Sequence, residues 1–281
     1  MRPSRVLTFA AYEAKRAVAR KKVIALVALT VLLDTAPYYA LSSNGASIVP
    51  PPVHPYLWIV GVFVPQALFL QFIALLIAAG SMSEEYEQGT AEVLLSKPVS
   101  RTEYFFGKFL GGYGLLVVIV ILNAALSVTS ATFVFGSQEE LQILPLTLAA
   151  QSFSALVFYS FAFMVGELMR RSSLSYILSS AVFFTSQILG VYLNLIYSLT
   201  GSATYKVVNL YLPTSPVDSF PLLLSQPSFP STVQALFRFG ISNPVETSLP
   251  FSAALIIVYA VSAVLVALLY FSRMDIAKRV T

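Results

Sequence analysis

Four of the chain's 13 acidic residues, Glu84, Glu85, Glu87 and Glu92, fall within the nineteen positions from Ser83 to Arg101. Long apolar runs flank this segment on both sides. A charged, turn-punctuated insert in an otherwise apolar chain suits docking against another protein. Little else in the sequence has the makings of covalent chemistry. There is no cysteine, so disulfides and thiolate metal sites are excluded. A single histidine, His54, rules out a multi-histidine metal site and, beside Pro55, makes a poor general base. Gly45-Ala46-Ser47 offers a loop serine with no second histidine to partner it, and neither H-E-x-x-H nor G-x-S-x-G occurs. No catalytic residue and no metal site are expected.

The elements that hold the insert are set by composition. Of 281 residues, 57% are hydrophobic and only 11% charged, with mean hydropathy +0.78. A soluble domain carries about a quarter charged residues, so lipid must solvate most of this chain. Crossing the hydrocarbon core takes roughly 20 apolar residues in a helix. Six segments qualify: 23–40, 57–81, 109–135, 143–169, 174–199 and 251–271. The expected fold is an all-α integral membrane protein with six transmembrane helices in one transmembrane domain.

The basic residues set orientation. Seven precede the first span, three lie between the second and third, two between the fourth and fifth, and three follow the sixth; only Lys206 and Arg238 of the 17 fall on the other side. This asymmetry predicts cytoplasmic N and C termini in a multi-pass protein of the cell (plasma) membrane. It also accounts for the net charge of +4 without nucleic acid as a partner. Residues 1–22 lack the short apolar core and small-residue cleavage site of a signal peptide. Val6, Ala10, Ala14, Ala17 and Val18 share one helical face opposite basic residues, which predicts a helix lying in the cytoplasmic interface.

The insert, residues 82–108, has readable local structure. Gln88-Gly89 breaks the helix leaving the second span. Thr90 reads as an N-cap, with Glu92 in a favourable first-turn position. Val93, Leu94 and Leu95 give the short helix an apolar side, and Pro98 ends it. Ser100-Arg101-Thr102-Glu103 has the form of a capping box for the next helix. The expectation is a short helix held crosswise between two spans; composition alone is equally compatible with a solvated loop.

The run E-x-x-x-G-T-x-E-x-L-L-x-x-P-V-S-R-x-E-x-x-x-G-K, from Glu85 to Lys108, resembles the signature of type-2 ABC transporter permeases. The order of six spans with this insert after the second agrees. The last hundred residues carry no comparable likeness. The resemblance implies a cytoplasmic coupling helix seated in a cleft of a separate ABC ATPase subunit, present in two copies, whose ATP-driven closure moves two permeases. It implies ATPase-coupling roles for Glu84, Glu85, Glu87, Gly89, Thr90, Glu92, Leu94, Leu95, Pro98 and Arg101. The first three would face the ATPase, and Arg101 would pair with an acid on the ATPase or on this chain. The second permease would be another copy, forming a homodimer, or a similar chain. No phosphate loop of the form G-x-x-x-x-G-K-[ST] is present, so ATP and Mg would be bound by the partner ATPase and no cofactor by this chain.

Within the spans, Asp34 is the one deep acid; an intramembrane carboxylate is a functional candidate, although Pro37 nearby also fits the outer end of a shorter span. Gln66, Gln71, Asn123, Gln151, Gln187 and Asn194 commonly serve as interhelical glue. Asp34, Gln66, Gln71 and Asn123 are the candidates for a translocation path. Glu167 is expected to pair with Arg170 or Arg171. Gly107, Gly111, Gly112 and Gly114 suit close helix approach. Residues 200–250 read as an external loop with two apolar patches, 220–224 and 233–237, that either gate the path or cover the outer leaflet. An ion-coupled carrier working without an ATPase is the alternative function; it lacks the expected repeats and has only Asp34 as a proton site.

Overall fold

The computed structural model describes residues 3–44, 49–95, 99–231, 233–234 and 247–273. Every regular element among them is helical: α1 (Pro3–Val18), α2 (Lys21–Asn44), α3 (Trp58–Pro65), α4 (Gln71–Glu87), α5 (Thr90–Leu95), α6 (Arg101–Phe135), α7 (Leu144–Met169), α8 (Ser172–Thr200), α9 (Ala203–Leu210), α10 (Thr214–Ser225) and α11 (Leu249–Arg273). Lipid offers the backbone no hydrogen-bonding partner, so an apolar chain that crosses it must close its bonds within helices. Six helical segments are long and apolar enough to cross a membrane: Lys21–Ala40, Trp58–Glu87, Arg101–Phe135, Leu141–Met169, Ser172–Thr200 and Leu249–Arg273. The chain is an all-α, multi-pass membrane protein.

Three departures from the sequence expectation carry information. Pro37 does not end α2, which runs on to Asn44; a membrane helix tolerates proline where neighbours repack the ladder. The second span is one long path of α3, a π-helical turn at Gln66–Leu70 after Pro65, and α4. The Gln187 side-chain amide reaches across from α8 to the Ala67 carbonyl of that turn at 3.1 Å. Residues 200–250 are not simply a loop: α10, holding the patch 220–224, packs on α7 and α11, with Val217 and Leu222 buried and the Phe153 and Phe220 rings 5.2 Å apart. Of the second patch, 235–237 lie outside the described residues, as do Gly45-Ala46-Ser47 and Pro98.

The core sits where α4, α6, α7 and α11 meet. Phe105, Phe109, Tyr159 and Phe163 interlock edge to face at 5.1–5.3 Å, and the Tyr159 hydroxyl donates to the Phe109 carbonyl at 2.8 Å. Helix α1 is laid along α6. Gly107 and Gly111 make this possible: a Cβ on Gly107 would meet the Phe9 side chain, and one on Gly111 the backbone of Ala10. Gly112 likewise accommodates Tyr159, while Gly114 faces open space. The buried line of α1 is therefore Val6, Glu13 and Ala17, and Val18 is half-exposed.

Candidate functional site

Helix α6 has 35 residues and is about 50 Å long at 1.5 Å per residue. The hydrocarbon core is only about 30 Å thick, so one end of α6 projects from it. At the basic end it starts with a full capping box: the Glu103 amide donates to Ser100 Oγ at 3.2 Å and the Ser100 amide to Glu103 Oε2 at 3.3 Å. Just before it stands α5. Gly89 turns the chain from α4 into α5 with φ of +69°, the left-handed region where glycine has no Cβ cost. Thr90 does not simply cap α5; its hydroxyl donates back to the Glu85 carbonyl at 3.4 Å. Ala91 is buried and Leu94 is half-buried on the core, whereas Val93 is 63% exposed, beside the exposed Glu87, Gln88, Gly89 and Thr90. The side chains of Glu92 and Leu95 lie outside the described residues.

The last turn of α4 ties this short helix to the bundle through four successive residues. Glu84 accepts from Arg16 at 3.3 Å and from the Tyr176 hydroxyl of α8 at 2.6 Å, and forms an ion pair with Arg20 at 3.0 Å. Glu85 is buried and accepts from Arg16 at 2.5 Å and from Tyr104 and Lys108 of α6. The Tyr86 hydroxyl donates to Glu167 of α7 at 2.7 Å. Glu87 accepts from the backbone amide and hydroxyl of Ser172, at 3.3 and 2.5 Å, at the start of α8. The expectation that Glu84 and Glu85 face outward to a partner is thus corrected: their carboxylates are consumed inside the chain, because two arginines and a lysine converge there. Glu167 takes its hydrogen bond from Tyr86, while the expected pairing with Arg170 is a charge attraction without direct contact: the Arg170 guanidinium lies over the Tyr86 and Tyr270 rings, 5.6 Å from each.

The centre of this cluster is Lys108, fully buried between Glu13 at 2.5 Å and Glu85. Glu13 also takes Arg20 at 3.3 Å and Arg16 at 3.7 Å. The ion-paired charges balance: carboxylates Glu13, Glu84 and Glu85 against Arg16, Arg20 and Lys108. Burial alone would lower the Arg16 pKa, yet the carboxylates of Glu13, Glu85 and Glu84 hold it above its ordinary value. Glu13 is the member that sequence reasoning passed over. Its signal was the Glu13, Arg16, Arg20 spacing, which puts the acid and both arginines on one side of a helix. On the other flank, Arg101 donates to the carbonyls of Phe271 and Ser272 at 3.3 and 3.1 Å, gripping the end of α11.

A family model for ABC-2 family transporter proteins matches residues 7–276. The chain belongs to the ABC-2 transporter family. Comparison with curated proteins finds no match. In this ABC-2 permease the matched region takes in most of α1, the α4–α5–α6 junction and all six candidate spans.

The path candidates of the ABC-2 permease are only partly brought together. Asp34 and Asn123 both reach the Gly61 region: a Cβ on Gly61 would strike Asp34 Oδ1, and Asn123 Nδ2 donates to the Gly61 carbonyl at 3.3 Å. Gln71 is buried on α4 with both amide atoms unpartnered. The side chain of Gln66 lies outside the described residues. Gln151 acts as glue, donating to the Val62 carbonyl at 2.9 Å. A separate cavity of about 280 Å³ opens between α7, α8 and α11, lined mainly by apolar side chains including Phe158, Phe161, Val182 and Val266. Among the described residues, no group of His, Cys, Asp and Glu is placed to hold a metal ion.

Proposed function

We propose that this chain is the translocating subunit of an ATP-driven exporter, coupled through α5 to a separate ABC ATPase. The carrying observation is a short helix at the edge of the bundle with an exposed face, Glu87 to Thr90 and Val93, while the carboxylates of Glu84 and Glu85 behind it are spent on bracing. A load on α5 passes through Ala91, Leu94 and the Thr90–Glu85 link into the last turn of α4, and from there to α1, α6, α7 and α8 at once.

In this reading the basic end is cytoplasmic, both termini lie there, and the membrane is the plasma membrane. Two ATPase subunits bind ATP and Mg and serve two permease chains, a homodimer in the simplest assembly. The residues that touch the ATPase are the exposed ones, not Glu84 or Glu85. The apolar cavity between α7, α8 and α11 supports an amphipathic or apolar cargo.

The test is co-purification with the ATPase and ATP-dependent transport in proteoliposomes. Val93→Asp should abolish capture of the ATPase while leaving the permease folded and monodisperse. Undiminished capture and transport would remove α5 from the coupling role.

A further inference from the structure

Asp34 is 2% exposed, and neither carboxylate oxygen has a hydrogen-bond partner. It lies thirteen residues beyond Lys21, the start of α2, within the candidate span Lys21–Ala40. At 1.5 Å per residue that is about 20 Å from the basic end, so the ion-paired cluster there is out of reach. No ion pair reaches Asp34 among the described residues.

The surroundings are polar but offer it no donor. Asp34 Oδ1, Tyr38 Oη and Ser127 Oγ converge on the space that a Cβ of Gly61 would fill. Tyr38 shares its proton with the Leu57 carbonyl at 3.0 Å and Ser127 Oγ at 2.8 Å, and accepts from the Gly61 amide at 3.0 Å. Ser127 donates to the Trp58 carbonyl at 2.7 Å. Asn123 spends its amide on the Gly61 carbonyl, and its Oδ1, also buried and unpartnered, adds another acceptor. Among the described residues the titratable group facing Asp34 is Tyr38, on the next turn of α2; α3 brings Gly61, and α6 brings Ser127 and Asn123, neither of which ionises. The charged groups of α1 and of the end of α4 sit at the basic end.

A carboxylate in lipid with no donor and no counter-charge is the costly state. Protonation removes the charge and supplies the missing donor. A metal cation suits the pocket less well, because the Gly61 amide points its positive end into the same seam and the hydroxyl oxygens are already bonded. We propose that Asp34 is a proton-binding site within the membrane, carried as the neutral acid in this closed α2–α3–α6 seam and exchanging its proton with water when the seam opens. The proposal rests on the membrane placement of α2 and not on the exporter reading.

The test uses the intact protein in lipid vesicles. Dicyclohexylcarbodiimide enters lipid and adds the O–H of a protonated carboxyl across its C=N bond; a water-soluble carbodiimide reaches only open sites. Peptide mass spectrometry should find Asp34 labelled far more by the first reagent than by the second, with labelling lost as pH rises and absent in Asp34→Asn. The infrared C=O stretch of a protonated carboxyl should likewise be lost in Asp34→Asn, which mimics the neutral acid and should fold normally. Labelling by both reagents alike, protection by sodium or potassium at fixed pH, or a wild-type infrared band unchanged in Asp34→Asn would each overturn the proposal. So would an unlabelled Asp34 in a sample where the buried Glu167 reacts. These outcomes leave the ATPase-capture test of α5 untouched.

Discussion

Lys108 and Glu13 lie 95 residues apart in sequence and pair at 2.5 Å with both side chains fully buried. This contact fastens α1 to α6 beside Glu85 in the last turn of α4. It makes the N-terminal helix a structural member of the junction that carries α4, α5 and α6.

Lys108→Met should leave Glu13 and Glu85 without their fully buried cation, with only Arg16 and Arg20 to balance them. Removing one partner of a buried pair costs about 3–5 kcal/mol, which thermal unfolding of the detergent-solubilised protein should register. The double substitution Lys108→Met/Glu13→Gln should recover at least about 1 kcal/mol, the coupling expected of groups in direct contact. Additive losses would mean that the two side chains do not interact.

Gly111→Ala should drive α1 away from α6, since the new methyl meets the Ala10 backbone, which cannot step aside like a side chain. Overpacking of this kind costs about 1–3 kcal/mol. Gly114→Ala, three residues on and facing open space, should stay within about 0.5 kcal/mol of wild type. Limited proteolysis of α1 should rise in the first variant and not in the second.

Tyr86→Phe should strip Glu167 of the hydroxyl that holds one of its oxygens, leaving both unpartnered, because the other already lacks a partner. An unsatisfied buried acceptor costs about 1–3 kcal/mol. Thermal unfolding should show that loss. If α4 transmits motion to α7 through this contact, capture of the ATPase should be retained while ATP-driven transport falls.

The absence of cysteine makes single-thiol mapping clean. Gln88→Cys and Val93→Cys should crosslink to the ATPase and react readily with water-soluble maleimide. Cysteine at position 85 should do neither, because Glu85 is buried behind Arg16, Tyr104 and Lys108. Crosslinking from position 85 alone would restore the outward-facing role that the structure denies it.

Much of the architecture was legible because it rests on local signals. Hydropathy over about twenty residues located six spans, and the structure carries helices on the same segments. The Ser100–Glu103 capping box depends on residues three apart and forms as its pattern predicts. The turn at Gly89 follows from backbone freedom at one position. The span 23–40 carries α2 through Pro37 as the structure does; whether Pro37 instead marks the outer end of a shorter span was not legible, since proline's cost depends on the neighbours that repack around it.

By itself the sequence determined the membrane class, the six candidate spans, the turn at Gly89 and the short helix that follows it. It did not determine which way the charges of the segment from Ser83 to Arg101 point. Glu84, Glu85 and Glu87 read alike on the page, yet Glu85 is buried, Glu84 is mostly covered and Glu87 is exposed. Their partners stand 68, 69 and 85 residues away on α1 and α8. Only the closing of α1, α4, α6 and α8 on one another could bring matching charges together. An ion pair is decided by distance in space, and hydropathy and spacing record distance only along the chain.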